Sequence, residues 1–156
     1  MFNNVAITSD SNRGPGNVDG YGYSYSAEAL AQRGVVPGAP VRTHGVTFTW
    51  PTASPGTPDN ALAAGQLVGV YGSSSTLGFL LTSTNPTSGK GTVNYTDGSS
   101  QEYTIGSTNW ADGLQPGVFP AITAPYRNGP GGQDTRPVWI FYAGVDIDPH
   151  RTVRSV

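Results

Sequence analysis

The stretch "GTVNYTDGSSQEYTIG", residues 91–106, decides the fold class of this chain. Two runs rich in Thr, Val, Tyr and Ile flank Asp97-Gly98. An Asp-Gly pair between runs of β-forming residues is a strong local signal for a β-hairpin, because its backbone accepts the tight turn that joins two antiparallel strands. The stretch therefore predicts a hairpin centred on Asp97-Gly98.

The rest of the chain repeats this short-strand pattern. In "GVTFTWP" the apolar residues Val46, Phe48 and Trp50 alternate with threonines, which is typical of a half-buried strand. The most apolar run, "RPVWIFYAGV", predicts a central strand. Further strands are predicted from "FNNVAITSD", "GQLVGVY", "TLGFLL", "VFPAITAPY" and "RTVRSV".

One short helix interrupts the strands. In "SAEALAQRG", Ser26 can cap the first turn, Glu28 is favoured by the helix dipole, and Gly34 can end the helix. The 156 residues thus predict a single all-β domain spanning 1–156, a β-sandwich of the jelly-roll type with one helix near residues 26–33.

Composition narrows the classes of function. The chain has 22 Gly, 13 Pro, no Cys and a net charge of −2. It lacks the basic stripe that nucleic-acid binding needs and the apolar run of about 18 residues that spans a bilayer. No signal peptide follows Met1, and no thiolate zinc site is possible.

Catalytic signals are weak. The two histidines stand in unrelated contexts, no Gly-x-Ser-x-Gly elbow occurs, and the ten acids are scattered. We therefore expect a non-catalytic domain that is a monomer tethered to a catalytic domain. A free-standing enzyme would need convergent acids in a cleft.

The segment "DSNRGPGNVDG" carries several hard oxygen ligands of the kind calcium prefers: Asp10, Asn12, Asn17 and Asp19. The same residues also form Asx turns in Gly-rich loops, and the spacing is not that of an EF-hand. A structural calcium site and simple turns are both open. "DIDP", with Asp146 and Asp148, is a weaker candidate of the same kind.

Aromatic residues suggest a sugar site, because sugars bind to an aromatic plate with polar groups at its edge. Of the alternating Tyr21, Tyr23 and Tyr25, we expect Tyr25 to be buried and Tyr21, between two glycines, to be exposed. Trp50 and Trp139 are expected in the core, whereas the turn-like "STNWADG" predicts an exposed Trp110.

The loops "PGTPDN" and "PYRN" supply candidate polar groups, namely Asp59, Asn60, Arg127 and Asn128. Alternatively, Asp59 caps a helical turn in "DNALAAG" and Arg127 pairs with an acid. The predicted carbohydrate site has Tyr21 and Trp110 as plates and Asp19, Asp59, Asn60 and Arg127 at the rim, with Asn128 beside them. Low charge favours a neutral glycan and a small pocket.

Several motifs together resemble one family. "FNNVAITSDSN", "VDGYGYSYSAEALAQRGVVPG", "GVTFTWP", "PGTPDNALAAGQ", "NYTDGSSQEYTIG", "PYRNGPGG" and "RTVRSV" look like the non-catalytic, carbohydrate-binding-module-like accessory domain found, often C-terminally, in large secreted actinobacterial glycoside hydrolases. The similarity runs from Phe2 to Val156. Where that family often has Asp-Trp, this chain has Asn109-Trp110, so an acid at this point is not essential here.

The resemblance implies a secreted, extracellular β-sandwich that tethers a glycoside hydrolase to a neutral poly- or oligosaccharide. The alternative is a structural spacer that packs on a neighbouring catalytic domain and binds no ligand. An exposed ring beside Asp, Asn or Arg favours binding. An exposed apolar patch without converging polar groups favours the spacer.

Overall fold

The fold is described from a computed structural model, which covers residues 2–115 and 117–156. Within these residues the chain forms thirteen strands and one helix. Their bounds are β1 Ile7–Thr8, β2 Ser24–Ser26, α1 Ala27–Ala31, β3 Pro40–Thr43, β4 Val46–Thr49, β5 Gly69–Gly72, β6 Thr76–Leu81, β7 Thr87–Tyr95, β8 Ser100–Ser107, β9 Phe119–Ala124, β10 Arg127–Gly129, β11 Gly132–Asp134, β12 Val138–Asp146 and β13 Val153–Ser155.

The strands form four sheets, and the predicted β-sandwich is confirmed. Their strand orders are β1-β2-β10-β11, β6-β12-β9, β5-β13-β7-β8 and β3-β4. The Asp97-Gly98 hairpin pairs β7 with β8 over eight residue pairs, from Thr87–Ser107 to Asn94–Ser100. Gly98 has a φ of 88°, a left-handed conformation that glycine adopts without steric cost.

The run "RPVWIFYAGV" becomes β12, the middle strand between β6 and β9, as its apolar sequence predicts. A bulge between Ile140 and Phe141 shifts its register against β9. Side chains of β12 alternate between two cores, because successive residues of a strand point to opposite faces of the sheet. Val138 and Ile140 enter one core, and Val145 enters the other.

The larger core joins the β6-β12-β9 sheet to α1 and to the segments around β1, β3 and β10, with Tyr25, Leu30 and Trp50 among its members. The smaller core fills the space between that sheet and β5-β13-β7-β8. The three-stranded sheet is thus the middle layer. Each of its apolar faces is buried against another layer.

The helix is shorter than predicted but begins where expected. Ser26 is its N-cap, and the Ser26 hydroxyl accepts a hydrogen bond from the Ala29 amide at 3.0 Å. Five residues are too few to be helical alone, so packing of Ala29 and Leu30 in the larger core stabilises α1. Of the described helices, none has the length and apolar character of a bilayer-crossing segment.

Several sequence expectations need correction. The opening strand was expected over Phe2–Asp10, but only Ile7–Thr8 pair as a strand, with isolated bridges at Asn4 and Ser9. Trp139 is half-buried rather than in the core, because β12 turns its side chain to the face opposite Val138. The alternation of Val46, Phe48 and Trp50 toward the core is confirmed.

Candidate functional site

The tyrosine run divides between core and surface. Tyr25 is buried, and its hydroxyl donates to the carbonyl oxygen of Trp139 at 2.8 Å. Burial raises the pKa of the Tyr25 phenol, so it stays protonated and can donate. Tyr21 is 77% exposed, as expected. Tyr21 does not share a strand with Tyr25, because the extended run begins only at Ser24.

The polar side chains near Tyr21, those of Asp19 and Asn17, accept hydrogen bonds from backbone amides. Asp19 Oδ1 accepts hydrogen bonds from the amides of Tyr21, at 2.9 Å, and Tyr23, at 3.2 Å. Asn17 Oδ1 accepts from the Gly22 amide at 3.0 Å. These are the loop-closing bonds of an Asx-rich turn, so they hold Tyr21 outward without converging on it.

Trp110 is buried, and the prediction of an exposed plate is wrong. Only 2% of its surface is accessible, and its ring meets that of Tyr25 edge to face, with centroids 4.8 Å apart. The backbone explains the burial. The Trp110 amide donates to Ser83 and its carbonyl accepts from Trp139, which ties this turn to the middle sheet.

Asp59 is also internal. Its carboxylate accepts the amides of Ala6, at 2.9 Å, and Ile7, at 2.8 Å, 53 and 52 residues away in sequence. Burial raises the pKa of Asp59, although the two backbone hydrogen bonds oppose that shift. The helical turn expected after Asp59 is absent from this described segment, so the capping alternative is wrong. Asn60, half-buried beside Asp59, bridges to Asn4 through its backbone.

Arg127 and Asn128 lie in β10 with their side chains turned inward. Arg127 Nε donates to Asp134 Oδ2 at 2.9 Å, which confirms the ion-pair alternative. Asn128 is fully buried, and its Nδ2 donates to Thr8 Oγ1 at 3.1 Å. The two polar loops therefore fasten β10 and β1 to the core rather than to the surface around Tyr21.

The four residues of the calcium prediction lie in three separate hydrogen-bonded groups. Asp10 accepts from Ser26 Oγ at 2.6 Å and from Tyr126 Oη at 2.7 Å, whereas Asn17 and Asp19 hold the turn before Tyr23. Asn12 bridges to Ser9. Among the described residues no three His, Asp or Glu side chains cluster closely enough to hold a metal ion. Calcium remains a prediction of the sequence.

Asp10 is tuned by its neighbours. Burial alone would raise its pKa, but hydrogen bonds led by those from Ser26 and Tyr126 outweigh burial and hold the pKa below its ordinary value. The ionised carboxylate therefore joins the N-cap of α1 to Tyr126. Both oxygens of the Asp10 carboxylate thus accept hydrogen bonds that stabilise the fold.

A groove that sequence reasoning missed lies where β8 passes the start of β9 and the middle of β12. Its volume is about 670 Å³. It is lined by aromatic rings, hydroxyl-bearing residues, glycines and small apolar residues, including Phe119, Tyr142, Thr87, Ser88, Thr104 and Ser107. None of the lining residues that the structure describes is charged.

Two residues that line the groove are aromatic, and both contact the ring of His44, which is not among the lining residues. Phe119 is 54% exposed, and Tyr142 lies opposite it in the β9–β12 pairing. The His44 ring stacks on Tyr142 with centroids 4.6 Å apart and 3° between the planes, and it meets Phe119 edge to face at 5.4 Å. We call His44, Phe119 and Tyr142 the aromatic trio.

No short sequence motif predicts this groove. Its walls come from residues 86–88, 104–107, 117–119 and 142–144, which are brought together only by sheet packing. The one sequence signal is "VFPAITAPY", in which Pro120 marks an edge strand and leaves the preceding Phe119 at its exposed start.

Comparison with known proteins gives a family for this chain. No curated protein matches this chain. Residues 1–115 of the 156 match the model of the AziU2-like beta-sandwich domain, a stretch that runs from β1 through β8. The match agrees with the layered sheets described above, and the chain belongs to the AziU2-like beta-sandwich domain family.

Proposed function

We propose that this chain is a non-catalytic β-sandwich domain that binds a neutral carbohydrate in the groove beside the aromatic trio. The observation that carries the proposal is the lining of that groove, which combines an exposed ring with hydroxyl-bearing residues and no charged residue. Sugars present apolar C–H faces and hydroxyl rims, and such a surface matches both.

The plates are Phe119 and Tyr142 in place of the residues expected from sequence. Phe119 is exposed, and the Tyr142 ring packs against the parallel ring of His44. A ring held by packing loses little conformational freedom when a ligand binds, so less affinity is lost to ordering. Of the sequence-predicted plates, Tyr21 remains a second candidate because it is exposed.

In this proposal the domain is the accessory part of a secreted glycoside hydrolase and contributes no chemistry itself. The resemblance of its motifs to that class of domain supports this setting. The absence of charge from the groove lining supports a neutral glycan over an acidic one. A single short groove implies weak binding, of order −4 to −7 kcal/mol, or roughly millimolar to ten micromolar.

Isothermal titration against neutral mono- and oligosaccharides tests the proposal. Phe119→Ala should reduce affinity at least about fivefold, because stacking on an aromatic ring contributes on the order of 1 kcal/mol or more. Tyr71→Ala is the control, since Tyr71 is an even more exposed ring, at 83% against 54% for Phe119, and it lies on β5 outside the groove. Tyr21→Ala tests the site expected from sequence in the same assay.

The results separate the alternatives. Loss of binding with Phe119→Ala alone supports the groove, and loss with Tyr21→Ala alone moves the site to the Asp19 turn. No heat with any neutral glycan would reject carbohydrate binding.

The spacer is the second candidate, and one observation favours it. Leu67, Val68 and Tyr71 are exposed on and before the edge strand β5. No salt bridge of the described residues involves this segment, so it is an apolar surface of the kind that packs on a neighbour. In a full-length parent protein, Leu67→Ser with Tyr71→Ser should loosen the domain in small-angle scattering if the spacer is correct, and leave the scattering unchanged if it is not.

A further inference from the structure

A second cleft lies along β9, and its lining shares no residue with the first groove. Its volume is about 410 Å³, and it is bounded by β3, by β9 and by the turn that follows α1. Its lining includes Arg33, Val35, Val41, Arg42, Ile122 and Thr123. Among the described strands, β3 pairs only with β4 and β9 only with β12, so an open strand edge borders the cleft on each side.

The edge of β9 presents backbone groups at Thr123. Thr123 is opposite Trp139 in the β9–β12 ladder. The Trp139 amide donates instead to the Trp110 carbonyl, at 2.9 Å, on the other side of β12. In an antiparallel ladder, the two residues of a non-hydrogen-bonded pair both direct their backbone amide and carbonyl groups away from each other. Because the Trp139 amide points away from β9, Trp139–Thr123 is a pair of this type. The amide and carbonyl of Thr123 therefore face the cleft.

The edge of β3 also presents backbone groups to the cleft, at Arg42. The Trp50 amide donates to the Ala39 carbonyl at 2.9 Å, which makes Ala39–Trp50 a hydrogen-bonded pair. Pair types alternate along the ladder, so Arg42–Thr47, three pairs further along, is of the non-hydrogen-bonded type. The Arg42 amide and carbonyl therefore point away from β4, toward the same cleft.

Two cations border this cleft without a partner. Within residues 2–115 and 117–156, neither Arg33 nor Arg42 forms an ion pair or a side-chain hydrogen bond. By contrast Arg127, Arg136 and Arg151 each pair with an aspartate. The cleft thus has unpaired positive charge where the two strand edges open.

The floor of the cleft is apolar. Val41 and Ile122 are buried side chains of the larger core, while Arg42 next to Val41 is exposed. A strand laid between β3 and β9 would follow the same alternation, with one set of side chains toward Val41 and Ile122 and the other toward the arginines.

We propose that this cleft binds an extended segment of a partner polypeptide in which apolar and acidic side chains alternate. The segment adds as a strand between β3 and β9, with its backbone bonded to Arg42 and Thr123 and its carboxylates facing Arg33 and Arg42. Main-chain hydrogen bonds supply affinity in this mode of recognition, and the alternate side chains supply specificity. The inference is independent of the carbohydrate groove.

The test uses an N-acetylated, C-amidated pentapeptide of alternating aspartate and valine, titrated into the intact domain. Binding should slow amide hydrogen exchange at Arg42 and Thr123, measured by NMR. Arg33→Gln with Arg42→Gln should weaken binding about tenfold, because two ion pairs are lost. Arg154→Gln is the matched control, since Arg154 is an exposed arginine of β13 outside the cleft; it should bind as the parent does.

A second peptide isolates the backbone contribution. The same sequence N-methylated at both its valine and its aspartate nitrogens keeps its charges but cannot donate backbone hydrogen bonds to either edge, so it should lose binding. Equal binding of the N-methylated peptide, or displacement of the parent peptide by millimolar inorganic phosphate, would show an anion site only and overturn strand addition. No binding of the parent peptide would overturn it as well. Phe119→Ala should leave peptide binding unchanged, which keeps this outcome separate from that of the glycan test.

Discussion

The guanidinium of Arg127 lies over the ring of Tyr23, with 3.9 Å between Cζ and the ring centroid. The same guanidinium bonds to Asp134 through Nε and approaches the Trp110 ring at 5.2 Å. A cation held between an aromatic face and a carboxylate has its charge compensated, and here the Nε donor of Arg127 also has an acceptor. This relationship joins the tyrosine run, β10 and the Trp110 turn into one structural unit.

Arg127→Ala should therefore destabilise the domain by about 3 kcal/mol, because it leaves Asp134 without its partner and opens a gap beside Tyr23. Arg136→Ala is the control: its pair with Asp112 is exposed and 3.9 Å long, so it should cost less than about 1 kcal/mol. Urea unfolding measures both. Equal losses of unfolding free energy in the two variants would show that the stacking of Arg127 on Tyr23 adds no stability beyond that of an exposed ion pair.

Asp59→Ala should cost about 3 kcal/mol, since the amides of Ala6 and Ile7 lose their acceptor in a largely buried place. Asp59→Asn should cost less because one amide oxygen still accepts. Asp112→Ala, at an exposed acid, should be nearly neutral. Thermal melting ranks the three, and glycan binding by folded Asp59→Asn should equal that of the parent. Loss of glycan binding in that folded variant would show that Asp59 belongs to the ligand site, as the sequence analysis expects.

The acid limb of the stability profile should depend on Asp10. Its pKa in the folded state lies below its unfolded value, so its stabilisation is complete above about pH 4 and is lost as the pH falls through the folded pKa. Asp59 acts oppositely: its raised pKa makes protonation favour the folded state. Asp10→Asn should flatten the fall of melting temperature between about pH 4 and pH 2. An unchanged slope in that variant would assign the acid sensitivity to other carboxylates.

Gly16→Ala should destabilise the domain by about 1–3 kcal/mol, since overpacking forces buried neighbours to move. A Cβ at Gly16 would lie 2.6 Å from Ser24 Cβ and 2.9 Å from Thr8 Cγ2, both in fully buried residues. Gly14→Ala is the matched control, because a Cβ there meets no atom within 4 Å. Denaturation midpoints of the two variants decide whether the backbone at Gly16 packs this closely against β1 and β2.

Calcium, as the sequence predicts, should raise the melting midpoint through the segment from Asp10 to Asp19. Mass action contributes about 2.7 kcal/mol at a hundredfold excess of ligand over its dissociation constant. Scans in EDTA and in calcium measure the shift, and Asp19→Asn should reduce it. Identical midpoints in both buffers would remove the calcium site.

Local sequence signals determined much of the architecture. Asp97-Gly98 fixed the β7–β8 hairpin, Ser26 fixed the start of α1, and the apolar run ending at Val145 fixed the middle strand. These features depend on neighbours a few residues apart, through turn geometry, capping and alternation. The same local rules placed Tyr25 inside and Tyr21 outside correctly.

Tertiary structure alone decided which polar and aromatic residues are available for binding. Trp110 looked exposed in its turn, but Ser83 and Trp139 bind its backbone and carry it into the core. Asp59 finds its partners more than fifty residues away, and Phe119 meets Tyr142 only because β9 pairs with β12. Burial is a property of contacts between distant segments, so a short stretch of sequence sets the conformation of a loop but not what packs over it.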